Sequence, residues 1–393
     1  LYCMNPLERA CSKMRKTRTV LAVMLLLIFI PGTVWAAGIT DDIEAYTGTK
    51  NITVQHALGA KASALAMEKL HFNKGDENVL AMTNAGCAVI GGQTTEKCVD
   101  GLAAVSGCTI GNSNLLLVQR AKNMPLWFAF FNKATNEMLY LEANNTVLNK
   151  YPTDLETLAS EKIFTVIAEE NIELNGLLTN NEAWNAKISS KVFGGNEFSL
   201  IGIAQIWSNP NCTYDFLRAA QFHNHICPGV NSGYLIIKYL DKHLPLQAGQ
   251  SYKIIACPSW CKDDAFQVIL DATVGKKGMY VKALTGDQLA MLPGSAKNVA
   301  GLFIRWNEQT ATGDGLVLGF DFDKANELAG TSNMTGPFVK IKTALSMMDY
   351  VDRPEIMVST IKQFKISSAS ELEALQAAGV DPLVRLGVVE NGE

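Results

Sequence analysis

The chain is poor in histidine and in charge. Only five of its 393 residues are histidine, 18% are charged, and the formal net charge is −4. A basic excess is missing, which argues against nucleic acid as a partner. There is no phosphate-cradling P-loop, no Rossmann glycine pattern and no Gly-x-Ser-x-Gly elbow. Gly86 and Gly91-Gly92 are too sparse to replace them. Cys-x-x-Cys-His is absent, so covalent haem is excluded. Against these absences, 48% of the residues are hydrophobic, and the length is enough for two ordinary domains with real cores rather than disorder.

Two of the five histidines fall in one octapeptide, Phe222-His223-Asn224-His225-Ile226-Cys227-Pro228-Gly229. In an extended segment His223, His225 and Cys227 would share one face. Pro228-Gly229 ends the segment, and Val230, Leu235, Ile236, Tyr239 and Leu240 continue with a helical pattern. Thiolate and imidazole donors would then sit at a helix N-terminus, where negative charge is favoured. The plainer alternative is two solvated histidines and a cysteine packed at a turn.

The N-terminus reads as a leader. Lys13, Arg15, Lys16 and Arg18 precede the apolar run Val20–Ile30, and Val34-Trp35-Ala36 offers small residues for cleavage after Ala36. The run is short for a membrane span. Met14 is the expected start, with residues 1–13 as over-extended translation. This predicts an exported prokaryotic protein, periplasmic or extracellular, with no stable membrane span after cleavage. Beyond Ala36 there are 29 basic and 37 acidic residues and seven cysteines: Cys87, Cys98, Cys108, Cys212, Cys227, Cys257 and Cys261. The odd number leaves at least one free, metal-bound or intermolecular. A disulfide or plain burial is expected for Cys87, Cys98 and Cys108.

Further along, the chain repeats itself. A helix at 59–70, a strand at 79–82, a cysteine-led helix from Cys98, a Thr-x-Gly turn at 109–111 and an aromatic strand at 127–131 are followed by a hairpin. The same order returns at 229–240, 252–256, Cys261–Leu270, 273–275 and 302–306, with the second hairpin turn at 312–315. The period of about 165–170 residues is far longer than that of solenoids. It predicts an α+β fold of two similar domains from an internal duplication, packed as a pseudo-dimer. The expected boundaries are 37–155, a connecting segment 156–205, a second domain 206–345 and a C-terminal strand and helix in 346–393. In that tail Ser370 and Glu373 form a capping-box pattern.

With Phe222–Gly229 opening one helix, Cys261–Val268 (Cys-x-x-Asp-Ala-x-Gln-Val) on a second and Thr273–Lys276 after it, the chain resembles the FmdE-like family, named for formylmethanofuran dehydrogenase. The first half keeps only the later motifs, at Cys98–Gly101 and Gly107–Gly111. Val54-Gln55-His56-Ala57 stands before its helix, so its site looks degenerate. The resemblance implies α+β domains, often dimeric, with a metal, commonly zinc, in a cleft. The zinc finger that some members carry at the C-terminus is missing, because no cysteine follows Cys261. The family name reflects gene neighbourhood, and a leader argues against cytoplasmic formylmethanofuran chemistry.

The expected metal ligands are His223, His225, Cys227 and Cys261, with zinc as the expected transition metal. Asp264 is a candidate to orient a histidine or, equally, a plain helix N-terminal acid like Asp263. Cys257 is an additional ligand or, with Cys261 in Cys257-Pro258-Ser259-Trp260-Cys261, a redox or copper-handling pair. Trp306, on the same strand as Arg305, is expected in the core; Tyr214 and Asp215 either line the cleft or, by default, form a surface turn after Cys212; and His56, His71 and His243 have ordinary roles. A metal-binding role, with a small-molecule or metallocofactor ligand, is favoured slightly over a metal-dependent enzyme acting on an unknown small molecule. The catalytic residues and the substrate stay open.

Overall fold

The computed structural model describes residues 32–146 and 162–390. The apolar run and most of the expected leader lie outside these residues. The cleavage site at Ala36 falls within a helix, α1 (Gly32–Thr47). Then follow α2 (Val54–Lys69), β1 (Val79–Thr83), α3 (Lys97–Ser106), β2 (Leu115–Leu117), β3 (Trp127–Asn132), β4 (Glu137–Ala143) and β5 (Phe164–Asn171). After three connecting helices, the last of them α4 (Glu197–Trp207), come α5 (Tyr214–His223), α6 (Pro228–His243), β6 (Gln250–Ala256) and α7 (Lys262–Ile269). The chain continues through β7 (Met279–Val281), β8 (Val299–Asn307), β9 (Thr312–Phe320), β10 (Val358–Ile366) and α8 (Ala369–Gln376).

The two sheets have one topology. The first is ordered β2-β1-β3-β4-β5 and the second β7-β6-β8-β9-β10. In each, the first two strands are parallel and the rest antiparallel. The fold is α+β and duplicated, as the repeat predicts. Two strands lie outside the expected domain limits: β5 (164–171) completes the first sheet beyond residue 155, and β10 (358–366) completes the second from the tail. Their alternating, charged sequences carry a weak signal because they are edge strands. The second hairpin turns at 308–311, and Thr312–Gly315 is already strand.

β3 (Trp-Phe-Ala-Phe-Phe-Asn) is buried on both faces, so its apolar run is continuous rather than alternating. Phe128 and Phe130 face α2 and α3, while Trp127, Ala129 and Phe131 face the opposite way. Each such Phe contributes about 1.5–3 kcal/mol on burial. The second face joins the connecting helices (Trp184, Ile203) and the turn between them (Phe193), the helices of the second copy (Val230, Tyr234, Phe266) and one face of its sheet (Ile254, Phe303, Leu318) in a single core. The copies thus pack as a pseudo-dimer through this shared core, with Phe193 and Trp207 of the connecting segment against Tyr140 and Phe131 of the first sheet. The other face of the second sheet, with the buried Trp306, is covered by Leu372 and Leu375 of α8 and by Leu383.

α8 uses the first of two overlapping Ser-x-x-Glu patterns. The Ser368 hydroxyl accepts from Glu371 N–H and Glu371 accepts from Ser367 N–H, so the start lies two residues before the expected Ser370. Among the described residues no helix is long and apolar enough to cross a membrane.

Candidate metal centre

Three helices build the site. α5 runs Tyr214–His223, so Tyr214 and Asp215 open a helix rather than a surface turn. Asn224 then takes a left-handed conformation (φ 55°), which asparagine tolerates, and reverses the chain. Ile226 is buried, and Cys227 caps α6 in an extended conformation, with Pro228 at the first helical position. The His-x-His-x-Cys segment is therefore a helix–turn–helix corner and not the extended strand that its alternation suggests. Its donors converge because the turn folds them together. α7 brings Cys261 at its N-terminus and Asp264 in its first turn.

One ligand atom each from His223, His225, Cys227 and Cys261 lie within 4.8 Å of one another. His223 Nε2 is 3.9 Å from Cys227 Sγ, and the two imidazole centroids are 4.2 Å apart. Metal–sulfur and metal–nitrogen bonds of about 2.3 and 2.1 Å imply ligand separations of roughly 3.3–3.8 Å in a tetrahedron, so small movements would close the group on an ion. Space for the thiols depends on Gly229. A Cβ there would sit 3.1 Å from Cys261 Sγ and 3.5 Å from Cys227 Sγ. Asp264 Oδ2 lies 2.7 Å from His223 Nδ1, which fixes the ring and turns Nε2 toward the sulfurs. Asp264 thus fills both roles weighed for it, helix N-terminal acid and histidine partner. Both the donor set and the glycine cradle fit a zinc-type ion.

Burial disfavours the charged form of His223, but hydrogen bonds to Asp264 and Cys261 outweigh it and raise its pKa to about 9. Burial, and then the neighbouring His223, lower His225 to about 4. Cys261 is pushed down because the Cys227 thiol and His223 donate to its sulfur, and Cys227 is correspondingly pushed up.

Cys257 is not part of this group. It is fully buried among Ile255, Leu302 and Val317 on the other face of the sheet, and burial raises its thiol to about 12. All seven described cysteines are free, including Cys87, Cys98 and Cys108. His56 is buried, His71 lies just beyond the end of α2, and His243 is exposed and pairs with Glu355. Arg305 pairs with Asp314.

Sequence reasoning missed the residues that hold the corner from outside. Phe198 packs edge-on against His225, and Ser199 Oγ–H donates to the Asn224 carbonyl. Arg120, from the loop after β2 in the first copy, donates to the side-chain oxygens of Asn224 (3.1 Å) and Asn196. Leu117 N–H donates to the side chain of Gln221, and Gln119 N–H to its backbone carbonyl. No motif marks these contacts, because they join segments from 25 to 104 residues apart.

The geometry defines a duplicated α+β protein with, among the described residues, one His/Cys group of metal-ligand type. The chain matches the family described as "FmdE, Molybdenum formylmethanofuran dehydrogenase operon" twice, over residues 54–186 and 222–333, more than half its length. It belongs to that family, as a tandem of two copies. No curated protein is significantly similar to it.

Proposed function

We propose that this chain is an exported metal-binding protein that holds one zinc-type ion through His223, His225, Cys227 and Cys261. Asp264 orients His223. The reading is carried by one observation: four soft or borderline donors from two separate segments lie within 4.8 Å, with a carboxylate behind one of the imidazoles. Bound there, the ion would supply Lewis acidity only to a ligand that displaces one of its protein donors or expands the shell. Four protein donors fill the tetrahedral shell that a catalytic zinc keeps partly open, which favours binding, storage or delivery over turnover. The thiol-redox alternative loses support with Cys257 buried in another core. Export rests on the N-terminal sequence alone.

Elemental analysis of the purified full chain tests the reading, with His225→Ala and Cys227→Ala beside it. About one equivalent of zinc or a similar ion, lost in both variants, is expected for a four-donor site. No transition metal in the wild type would overturn it.

A further inference from the structure

The guanidinium of Arg120 is half-buried beside the site, and its described partners are two neutral amide oxygens, those of Asn224 and Asn196. Asn196 is locked in that orientation, since its own amide N–H donates to Phe193 O. Arg120 Nε is enclosed without a partner, and none of the ion pairs among the described residues includes Arg120. A desolvated positive charge without a counter-charge is costly and is retained where something negative compensates it. Asn224 stands between His223 and His225 in the chain, so the 3.1 Å hydrogen bond from Arg120 to its side chain sets the guanidinium against the histidine corner. Each Nη keeps a second N–H beyond the one given to asparagine.

We infer that Arg120, contributed by the first copy, is the anion-binding residue of the metal site in the second, and that the site's ligand carries a carboxylate or phosphate group. This rests on the metal-binding reading for the place of the ligand, but not for the charge of Arg120. The two copies then divide the work, one holding the ion and the other holding the anionic end of what approaches it. A fork-shaped guanidinium suits either oxyanion, and the asparagines fix its plane in advance.

Calorimetric titration of the zinc-loaded full chain with inorganic phosphate and, separately, acetate tests this, alongside Arg120→Gln and Arg120→Lys. The wild type is expected to bind at least one of the two anions. Arg120→Gln should weaken that binding about tenfold or more, as loss of a charged hydrogen bond does, and Arg120→Lys should restore part of it. Zinc content should stay the same in all three. Equal anion affinity in Arg120→Gln, or no binding of either anion to the wild type, would overturn the inference. So would loss of zinc in Arg120→Gln, which would make the residue a brace for the Asn224 turn. A wild type that takes up no zinc defeats the metal-binding reading instead, and the same anion titrations on that protein still decide the role of Arg120.

Discussion

The two copies share a backbone and differ at the point where their helices meet. α2 and α6 are both sixteen residues long, and Gly59 and Gly233, each at the sixth position, face the carbonyls of Cys98 and Lys262. This puts Thr53 where Cys227 stands, Gln55 where Gly229 stands, Lys97 where Cys261 stands and Asp100 where Asp264 stands. α1 ends at Thr47 and Gly48 (φ 70°), as α5 ends at His223 and Asn224, but the loop that follows holds no histidine or cysteine. Thr53 instead contacts His56 Nδ1 through both its N–H and its hydroxyl, and His56 Nε2 lies 4.0 Å from Asp100. The aspartate and its histidine contact persist while every expected metal ligand is gone. A fold of this kind keeps its helix corner for packing, and the chemistry is an overlay of four side chains and one glycine.

The largest expected difference is in metal content. Cys227→Ala and Cys261→Ala should each remove the ion, whereas Cys98→Ala should leave it, and elemental analysis reads all three. The converse is sharper: Thr53→Cys with Gln55→Gly and Lys97→Cys should leave the stoichiometry unchanged, because the first copy still lacks the histidine turn. A second equivalent in that triple variant would break the comparison.

Next in size is the helix crossing. A Cβ at Gly59 would lie 1.9 Å from Cys98 O, and one at Gly233 would lie 2.6 Å from Lys262 O. Gly59→Ala should cost about 3 kcal/mol or more in urea unfolding, and Gly233→Ala less, about 1–3 kcal/mol. Equal costs would mean that the two crossings are not as different as the distances imply.

Asp264→Asn should weaken zinc affinity about 10–100-fold, read by competition with a chromophoric chelator. Asp100→Asn should change it not at all. The smallest effect is on pH dependence. In the metal-free chain the His223 pKa stands at about 9, above its ordinary 6.5. A raised pKa stabilises the fold below the unfolded value, and that contribution fades as pH rises from 6.5 through 9. His223→Gln should flatten this part of the stability profile, and Asp264→Asn should shift the imidazole titration in NMR downward, toward its ordinary value.

Much of the fold and the site is legible in the sequence alone. The octapeptide, Cys261 and the repeat give the ligand candidates and the duplication, because metal-ligand spacing and hydrophobic order are both local. Three things are not legible. The corner at Asn224 needs a left-handed residue, and without that reversal an alternating His-x-His-x-Cys reads as a strand. Cys98 looks like the counterpart of Cys261, yet the contacts of Gly59 and Gly233 set it against Lys262, one residue further on. A helix tolerates that slip in sequence but not in space, since one residue turns a side chain by about 100°. Arg120 gives no sign at all, because its importance lies in who its neighbours are.

The shared core has a consequence for behaviour on dilution. Two separate chains assemble by mass action, so whatever one lends the other is lost when the protein is scarce. Here Leu117 and Gln119 are tied by the chain itself to the helix they brace, and Arg120 to the turn that follows it. Their effective local concentration is set by covalent connection and does not fall with the amount of protein present. The site would therefore stay whole down to the single molecule.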